Sequence, residues 1–345
     1  MKRTMMPRRN APSDRGRRGQ IHETDRHRQE QFRFIRLRAF VAIHVLVGLL
    51  LPALLLGSTG ASFLKIPVGP RVVGMGEAGV AWIDDASALY YNPAGLAHVP
   101  TFDVLLSHNQ WFLDMNHEYV AGVYGFEGIG KFGLAFDYWG SGAIQGVNIR
   151  GETVPGYIFS AADWSLALGY ARSISDFSFG FGAKFIHQQM ESLSTSAGAF
   201  DVGVHYLTPL EGLKVGASVT NVGPMTELYQ EIYAMPTQAR LGWRYDRDIA
   251  GIALGVTQDF ILSESEKPGI AAGVECRPVE LVALRVGYRT GSDYEGFSGL
   301  RAGLGLSWQG IGVDYAFAPY GKLGASHRIS ICYRGLAPVD DEEEE

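Results

Sequence analysis

Several otherwise apolar segments of this 345-residue chain carry arginine, lysine or aspartate on the face opposite their apolar side chains. Because successive residues of a β-strand point to opposite faces, each such segment would present one apolar and one charged face. Buried charges are normally paired, so we expect arginine–aspartate pairs that brace an interior; the alternative is the polar lining of a channel. The residues concerned are Lys184, Arg240, Arg244, Arg285, Arg289, Arg301, Asp137 and Asp314.

A glycine motif near the start of the chain has the spacing of a dinucleotide-binding loop. Gly74, Gly76 and Gly79 satisfy G-x-G-x-x-G, but no strand–helix–strand unit surrounds them. The nucleotide interpretation requires that unit, because the pyrophosphate lies at the start of its helix. Glycines that shape a compact segment are therefore the better interpretation, and we predict no cofactor.

Residues capable of acid–base or metal chemistry are present but do not form a recognisable set. The histidines at 108, 117, 187, 205 and 327 show no metal-ligand spacing, and two cysteines, Cys276 and Cys332, are too few for a disulfide framework or a cysteine-rich metal site. Ser107 and His108 are neighbours, so within a strand they would point to opposite faces. The sequence therefore predicts no catalytic or metal site and a protein that is not an enzyme.

The first 61 residues have the composition of an export leader. Twelve basic residues precede an apolar run of eighteen (39–56), and small residues follow it. This order is typical of a signal peptide, here cleaved before Ser62; a membrane-anchoring helix is the alternative. Without the leader, 18 of the 30 basic and 32 of the 36 acidic residues remain, which argues against a nucleic-acid partner.

The body of the chain repeatedly alternates apolar residues with small or polar ones, as in residues 177–182, where phenylalanine alternates with serine or glycine. A small-residue face suits a barrel interior better than the water-facing side of a soluble sandwich, and strands that face lipid must close into a barrel. We therefore predict an all-β protein, an antiparallel transmembrane β-barrel of about fourteen strands. The strands are placed near residues 102–107, 117–126, 130–138, 164–172, 177–188, 198–206, 213–221, 238–246, 250–260, 269–277, 281–290, 299–309, 310–318 and 326–334.

Four regions follow from these patterns. Residues 1–61 form the leader, and residues 62–100, which do not alternate, form a hatch with a short helix near 84–90. Residues 101–334 form the barrel, and the acidic residues 335–345 form a solvated, disordered tail. Within the barrel, long loops are predicted at 139–163 and 222–237, with a third candidate at 187–197.

Five segments spread in order along the chain resemble the PorV/PorQ family of outer-membrane proteins, within the wider FadL-like group of barrels. One of them contains Asn92, Pro93, Ala94 and Gly95, which are similar to an element of the FadL hatch. The resemblance implies a fourteen-stranded barrel with an N-terminal hatch in the outer membrane of a double-membrane bacterium. The segments are residues 73–81, 85–97, 214–224, 312–319 and 327–330.

The same resemblance implies a function in protein export or surface attachment linked to type IX secretion, with outer-membrane lipid and secreted cargo proteins as partners. The alternative is a FadL-like transporter of hydrophobic small molecules, and a third possibility is a structural barrel without transport. Export predicts a plugged lumen and apolar residues exposed on loops; transport predicts an apolar pocket beside the hatch and a lateral opening in the wall. Candidate loop contacts are Tyr157, Ile158, Phe159, Leu228 and Tyr229.

Overall fold

Fourteen antiparallel strands form a closed barrel, as predicted. The computed structural model describes residues 59–111, 115–224, 226–228, 231–264, 266–291 and 296–335. Most of the predicted leader (1–58) and most of the predicted tail (336–345) lie outside the described residues. The barrel strands are β1 (Phe102–Gln110), β2 (Asn116–Phe126), β3 (Gly130–Gly140), β6 (Ala161–Ile174), β7 (Phe177–Met190), β8 (Leu193–Leu207), β9 (Leu213–Val222), β12 (Gln238–Ile249), β13 (Ile252–Ser263), β14 (Gly269–Val279), β15 (Val282–Arg289), β16 (Leu300–Trp308), β17 (Ile311–Pro319) and β18 (Ala325–Arg334).

Each strand pairs with its neighbour along the chain, and β1 pairs with β18 to close the barrel. Two small hairpins interrupt this order: β4 (Ile144–Val147) with β5 (Thr153–Phe159), and β10 (Thr226–Leu228) with β11 (Glu231–Tyr233). They lie in the two long connections that the sequence predicted as loops.

The two ends of the barrel differ in their connections. At the short-turn end, strands are joined by tight turns such as Gln309–Gly310, whose two residues both have positive φ, 48° and 83°. The opposite, long-loop end carries the hairpins β4–β5 and β10–β11. The predicted loop at 187–197 is wrong, because β7 continues to Met190, β8 begins at Leu193, and a two-residue turn joins them.

The outer face of the barrel is apolar and open. Leu134, Leu168 and Val286 are 50%, 61% and 57% exposed, whereas the inward-facing Ala135 and Ala167 are only 3% and 6% exposed. An apolar belt of this extent is unfavourable in water and matches the hydrocarbon of a bilayer. The barrel therefore spans a membrane through its strands. No helix among the described residues is long and apolar enough to cross one.

Residues 59–100, the hatch, fill the inside of the barrel. The segment starts at the long-loop end, where the Gly60 amide donates to the carbonyl of Ala234. It ends at the short-turn end, where β1 begins. Its helical turns are short, because glycine and proline interrupt it. They are Ser62–Lys65, Pro70–Val73, Ala88–Tyr91 and Pro93–His98, so the helix predicted near 84–90 forms only in its last part.

Candidate functional site

The hatch packs against glycines on the inner faces of the strands. A Cβ atom added to Gly287 of β15 would overlap the backbone of Gly76, and one added to Gly273 of β14 would overlap Met75. Gly76 itself has a φ of +70° that L-residues rarely adopt. The small-residue face predicted from the sequence is therefore the surface against which the hatch packs. The glycine motif shapes the hatch itself.

The element Asn92, Pro93, Ala94 and Gly95 lies deep in the lumen. The Asn92 side-chain oxygen accepts from the Ala94 amide (3.1 Å), and its Nδ2 donates to the carbonyls of Val80 (2.7 Å) and Val204 (3.3 Å). One asparagine thus links two parts of the hatch to β8. A Cβ on Gly95 would come within 2.5 Å of the Ile83 carbonyl oxygen, so no larger residue fits there.

Glu77 of the hatch joins three arginines of the wall. Its side chain is fully buried, one carboxylate oxygen accepts from Arg289, and the other lies 3.5 Å from the Arg301 guanidinium. Its carbonyl accepts from Arg240 at 2.7 Å. Arg240, Arg289 and Arg301 were all predicted as inner-face charges, and the structure brings them together around one acid of the hatch.

Asp259 of β13 binds the hatch backbone at Gly79 and Val80, just after Glu77. One of its carboxylate oxygens accepts from the amides of Gly79 (2.9 Å) and Val80 (3.0 Å), with Arg240 3.8 Å away. Charged acceptors on backbone amides are among the stronger protein hydrogen bonds. Wall and hatch are therefore joined through both side-chain pairs and the hatch backbone.

A second group of charges surrounds Glu275 of β14. Its carboxylate contacts Arg244 at 2.9 Å, Arg285 at 2.6 Å and Arg277 at 3.3 Å. Arg285 also bonds the predicted Asp314 at 2.5 Å. These residues belong to β12, β14, β15 and β17, so they connect the first and last strands of a run of six along the barrel wall.

The two remaining predicted charges form separate pairs. Lys184 bonds Asp201 (2.9 Å) and the side-chain oxygen of Asn221 (2.7 Å). Asp137 does not meet an arginine; it bonds the buried His117 at 2.5 Å. All eight predicted charges therefore have partners, an arrangement that favours bracing over the lining of an open channel.

Apart from Asp314, which pairs with Arg285, the sequence did not identify the acidic partners of these bases, although the same alternation places some of them on the small-residue face. The hatch contributes a further set at the short-turn end, where Arg71 contacts two neighbouring acids and Arg334 of β18 contacts Asp103. The partners missed are Glu77, Asp201, Asp259 and Glu275, and the short-turn set is Arg71, Asp84, Asp85, Asp103 and Arg334.

Asp84 forms ion pairs with two of the arginines at the short-turn end. Its carboxylate lies 2.5 Å from Arg71 and 3.6 Å from Arg334. Burial alone would raise the pKa of the Asp84 carboxyl, but the two guanidinium groups outweigh it and hold that pKa well below its usual range.

The hatch begins in an apolar cluster inside the long-loop end. Phe63 and Leu64 are 4% and 3% exposed and pack with Ile186 of β7, Ala199 of β8 and Met235. These side chains line the lumen, so the cluster forms an apolar interior beside the first turn of the hatch.

The wall is irregular next to this cluster. The register between β8 and β9 shifts between Phe200 and Val202, and Asn221 adopts a φ of +60° at this bulge. Of the described residues, those of β8 before Phe200 (193–199) pair with β7 and not with β9. The barrel ladder is therefore weaker here than elsewhere along β8.

The candidate loop contacts are only partly described. Tyr157 and Ile158 of β5 are exposed and Phe159 is half-buried. The Tyr157 hydroxyl donates to Glu191 at 2.9 Å, which ties this hairpin to the β7–β8 turn. The side chain of Leu228 and the whole of Tyr229 lie outside the described residues.

Redox and metal chemistry have few candidates in the described part of the chain. Cys276 and Cys332 are both free thiols. Over the described ranges, no three histidine, cysteine or acidic side chains are grouped as metal ligands would be.

An even-stranded closed barrel with an apolar belt is the architecture of bacterial outer-membrane proteins. The chain is accordingly an outer-membrane β-barrel whose lumen holds its own N-terminal segment.

Solved structures that superpose on this chain include two toluene transporters and a FadL homologue. No protein-family model and no curated protein sequence matches the chain. The toluene transporter TbuX of Ralstonia pickettii superposes with a TM-score of 0.57 at 13% identity, over 78% of this chain and 98% of that one. The toluene transporter TodX of Pseudomonas putida gives 0.54 at 11%, over 77% and 96%. A FadL homologue of Pseudomonas aeruginosa gives 0.53 at 12%, over 81% and 99%. At these identities the likeness shows the fold alone.

Proposed function

We propose that the protein is a non-enzymatic outer-membrane transporter of hydrophobic small molecules. The observation that carries this proposal is the apolar cluster around Phe63 and Leu64, which lies inside the lumen beside the irregular β8–β9 ladder. Lateral entry of a hydrophobic molecule requires apolar space and a weakened wall; here the wall is irregular, and the apolar space is filled by the packed side chains of the cluster. The fold shared with two toluene transporters supports the proposal.

A hydrophobic molecule that comes from the membrane finds no favourable apolar contact in the charged middle of the barrel. It does gain apolar contact in the cluster, where burial is worth about 25 cal/mol per Å² of apolar surface. Phe63 and Leu64 occupy that space in the closed barrel. A ligand would therefore replace the side chains of the first hatch turn and leave the charge-braced remainder in place.

The test is uptake of radiolabelled toluene by Gram-negative cells that produce the protein. We expect Phe63→Ala to raise uptake, because it opens apolar space, and Ala199→Asp to abolish it, because it introduces a charge into the cluster. Ser196→Asp is the matched control, since Ser196 is an exposed residue of the same strand. Heat-modifiable gel mobility checks that each variant folds. Uptake that is the same in all three variants would contradict the proposal.

A second candidate is the export or surface-attachment function that the PorV/PorQ resemblance implies. It is favoured by the apolar side chains exposed at the long-loop end, where Ile149 is fully exposed, Ile158 is 61% and Phe297 is 85% exposed. Exposed apolar residues of this kind are common at protein contact sites. The plugged lumen is compatible with this function as well.

One experiment separates the two functions. The mature protein is purified from its native outer membrane in detergent, and bound proteins and extracted small molecules are analysed by mass spectrometry. Hydrophobic small molecules without a protein partner would support transport. Secreted proteins that share a C-terminal domain would support export and contradict the simple transporter.

A further inference from the structure

A cavity of about 400 Å³ lies at the short-turn end, between the hatch and strands β9, β12, β13, β14 and β18. Six basic and four acidic side chains line it, an excess of positive charge within a chain whose formal net charge is −6. The basic residues are Arg71, Lys214, Arg244, Arg247, Arg277 and Arg334.

Three of the four acids that line this cavity are paired with its bases. Asp84 lies 2.5 Å from Arg71, and Asp246 lies 2.7 Å from Arg244. Glu275 contacts Arg244 and Arg277 at 2.9 and 3.3 Å. The bases also contact acids outside the cavity lining, since Arg71 and Arg334 both contact Asp85 and Arg334 contacts Asp103. What remains for a ligand is therefore not a net positive charge but the donor atoms that these pairs leave unused.

Two buried donor atoms that lack acceptors also indicate a ligand with acceptor oxygens. Among the described residues, the buried Nη1 of Arg244 and Nε of Arg277 have no hydrogen-bond partner. Arg244 is only 6% exposed. Buried donors of this kind are rare in native structures, because each loses its hydrogen bonds to water without replacement. A ligand that brings acceptor oxygens would satisfy both.

The guanidinium groups are also held in position before any ligand arrives. Trp82 of the hatch makes cation–π contacts with both Arg71 and Arg244, whose guanidinium carbons lie 4.6 and 4.4 Å from the centroid of its ring. The indole nitrogen donates to the carbonyl of Ala78 at 2.7 Å, which fixes the ring. Planar guanidinium groups held in this way match the geometry of carboxylate and phosphate oxygens.

We propose that this cavity is a binding site for an oxyanion, either a carboxylate or a phosphate group. It is separate from the apolar cluster and independent of the proposed transport. An oxyanion that could occupy this cavity has two possible sources. One is a free anion in solution, and the other is the chain itself, because residues 340–345 are six consecutive acids that follow soon after Arg334. Five residues reach about 17 Å when extended, enough to span a cavity of this size.

The test is isothermal titration calorimetry on the full-length protein in detergent and on a variant that ends at Val339. Each is titrated with inorganic phosphate and with a synthetic peptide of residues 336–345. Phosphate binding to both proteins supports the site with a free anion as ligand. Phosphate and peptide binding confined to the shortened protein supports it with the chain's own acids as ligand. Absence of binding by both probes to both proteins overturns the proposal.

Variants assign the binding to this cavity. Arg244→Gln and Arg277→Gln each remove a donor to the anion, and we expect each to weaken phosphate binding to the shortened protein about tenfold. Arg172→Gln is the matched control, since Arg172 is an exposed arginine of β6 that does not line the cavity. Arg277 is partly exposed, so its variant is expected to fold even if that of Arg244 does not. Equal affinity in all these proteins would place the anion elsewhere and overturn the proposal.

Discussion

At the scale of single residues, Glu77 makes the contacts that best explain why the hatch stays in the barrel. It is fully buried, and its carboxylate and carbonyl together meet Arg240, Arg289 and Arg301 from three strands. Removing one member of a buried ion pair leaves the others charged in a medium that solvates them poorly. The position of the hatch therefore depends strongly on one carboxylate.

Replacing Glu77 with glutamine tests this dependence. We expect Glu77→Gln to lower the free energy of unfolding by about 3–5 kcal/mol, as when a buried pair is broken. Urea unfolding of the refolded barrel measures it. Glu118→Gln is the control, because Glu118 forms an exposed pair with His108, and its effect should stay within about 0.5 kcal/mol. Equal losses in the two variants would show that Glu77 does not hold the hatch.

The lowered pKa of Asp84 predicts a particular pH dependence. A carboxylate whose pKa falls on folding stabilises the protein above its ordinary pKa of 3.8, and this contribution disappears as the pH falls towards the folded value. The stability difference between wild type and Asp84→Asn should thus be constant from pH 7 to about pH 5 and shrink below about pH 4. Urea unfolding at each pH measures it, with the exposed turn residue Glu127→Gln as control. A difference that grows in acid would contradict the prediction.

The basic residues of the lumen could be predicted from the sequence, but most of their acidic partners could not; Asp314, which pairs with Arg285, is an exception. Alternation along a strand shows which face a residue occupies, and it placed Arg240 and Arg289 correctly on the inner face. It does not show which distant residue lies opposite. Arg289 pairs with Glu77, which is 212 positions away and belongs to a segment without any period.

At the scale of elements, the fit between hatch and wall depends on glycine. Gly273 and Gly287 present bare backbone to the hatch at Met75 and Gly76. Strand glycines weaken an isolated strand, so their presence here requires a compensating contact. The close approach of the hatch is that contact.

An added methyl group at this contact tests the fit. Gly287→Ala would place a Cβ against the backbone of Gly76, and we expect a loss of about 1–3 kcal/mol with faster proteolysis of the hatch. Gly122→Ala is the matched control, because a Cβ at Gly122 of β2 meets nothing within 4 Å. Trypsin digestion of both refolded variants compares them. Equal protection of the hatch in the two variants would contradict a tight fit.

The connection between β7 and β8 shows the limit of the alternation argument. Residues 187–197 were a third candidate loop, yet β7 and β8 continue through most of this polar stretch. Strands that extend beyond the bilayer no longer need an apolar outer face. The period therefore marks the part of a strand that contacts lipid and not its full length.

At the scale of the whole molecule, the apolar belt places the barrel in lipid. Leu168 lies at the centre of β6 and points outward. Leu168→Arg should destabilise the barrel refolded in lipid vesicles by about 2–4 kcal/mol, as for a cation at the middle of a bilayer. Ile149→Arg is the control, because Ile149 is a fully exposed loop residue and its change should have no measurable effect. Equal stability of the two variants would place Leu168 outside the bilayer.

The path of the hatch has a consequence for biogenesis. Its residues precede β1 in the chain, and the seam between β1 and β18 joins the first barrel strand to the last. A segment held by wall contacts on many strands has no route through a finished cylinder. The hatch must already be in place when the seam forms, so the strands wrap around it and it acts as an internal template. A peptide of residues 59–100, added after a barrel lacking them has closed, should therefore fail to restore the plugged protein.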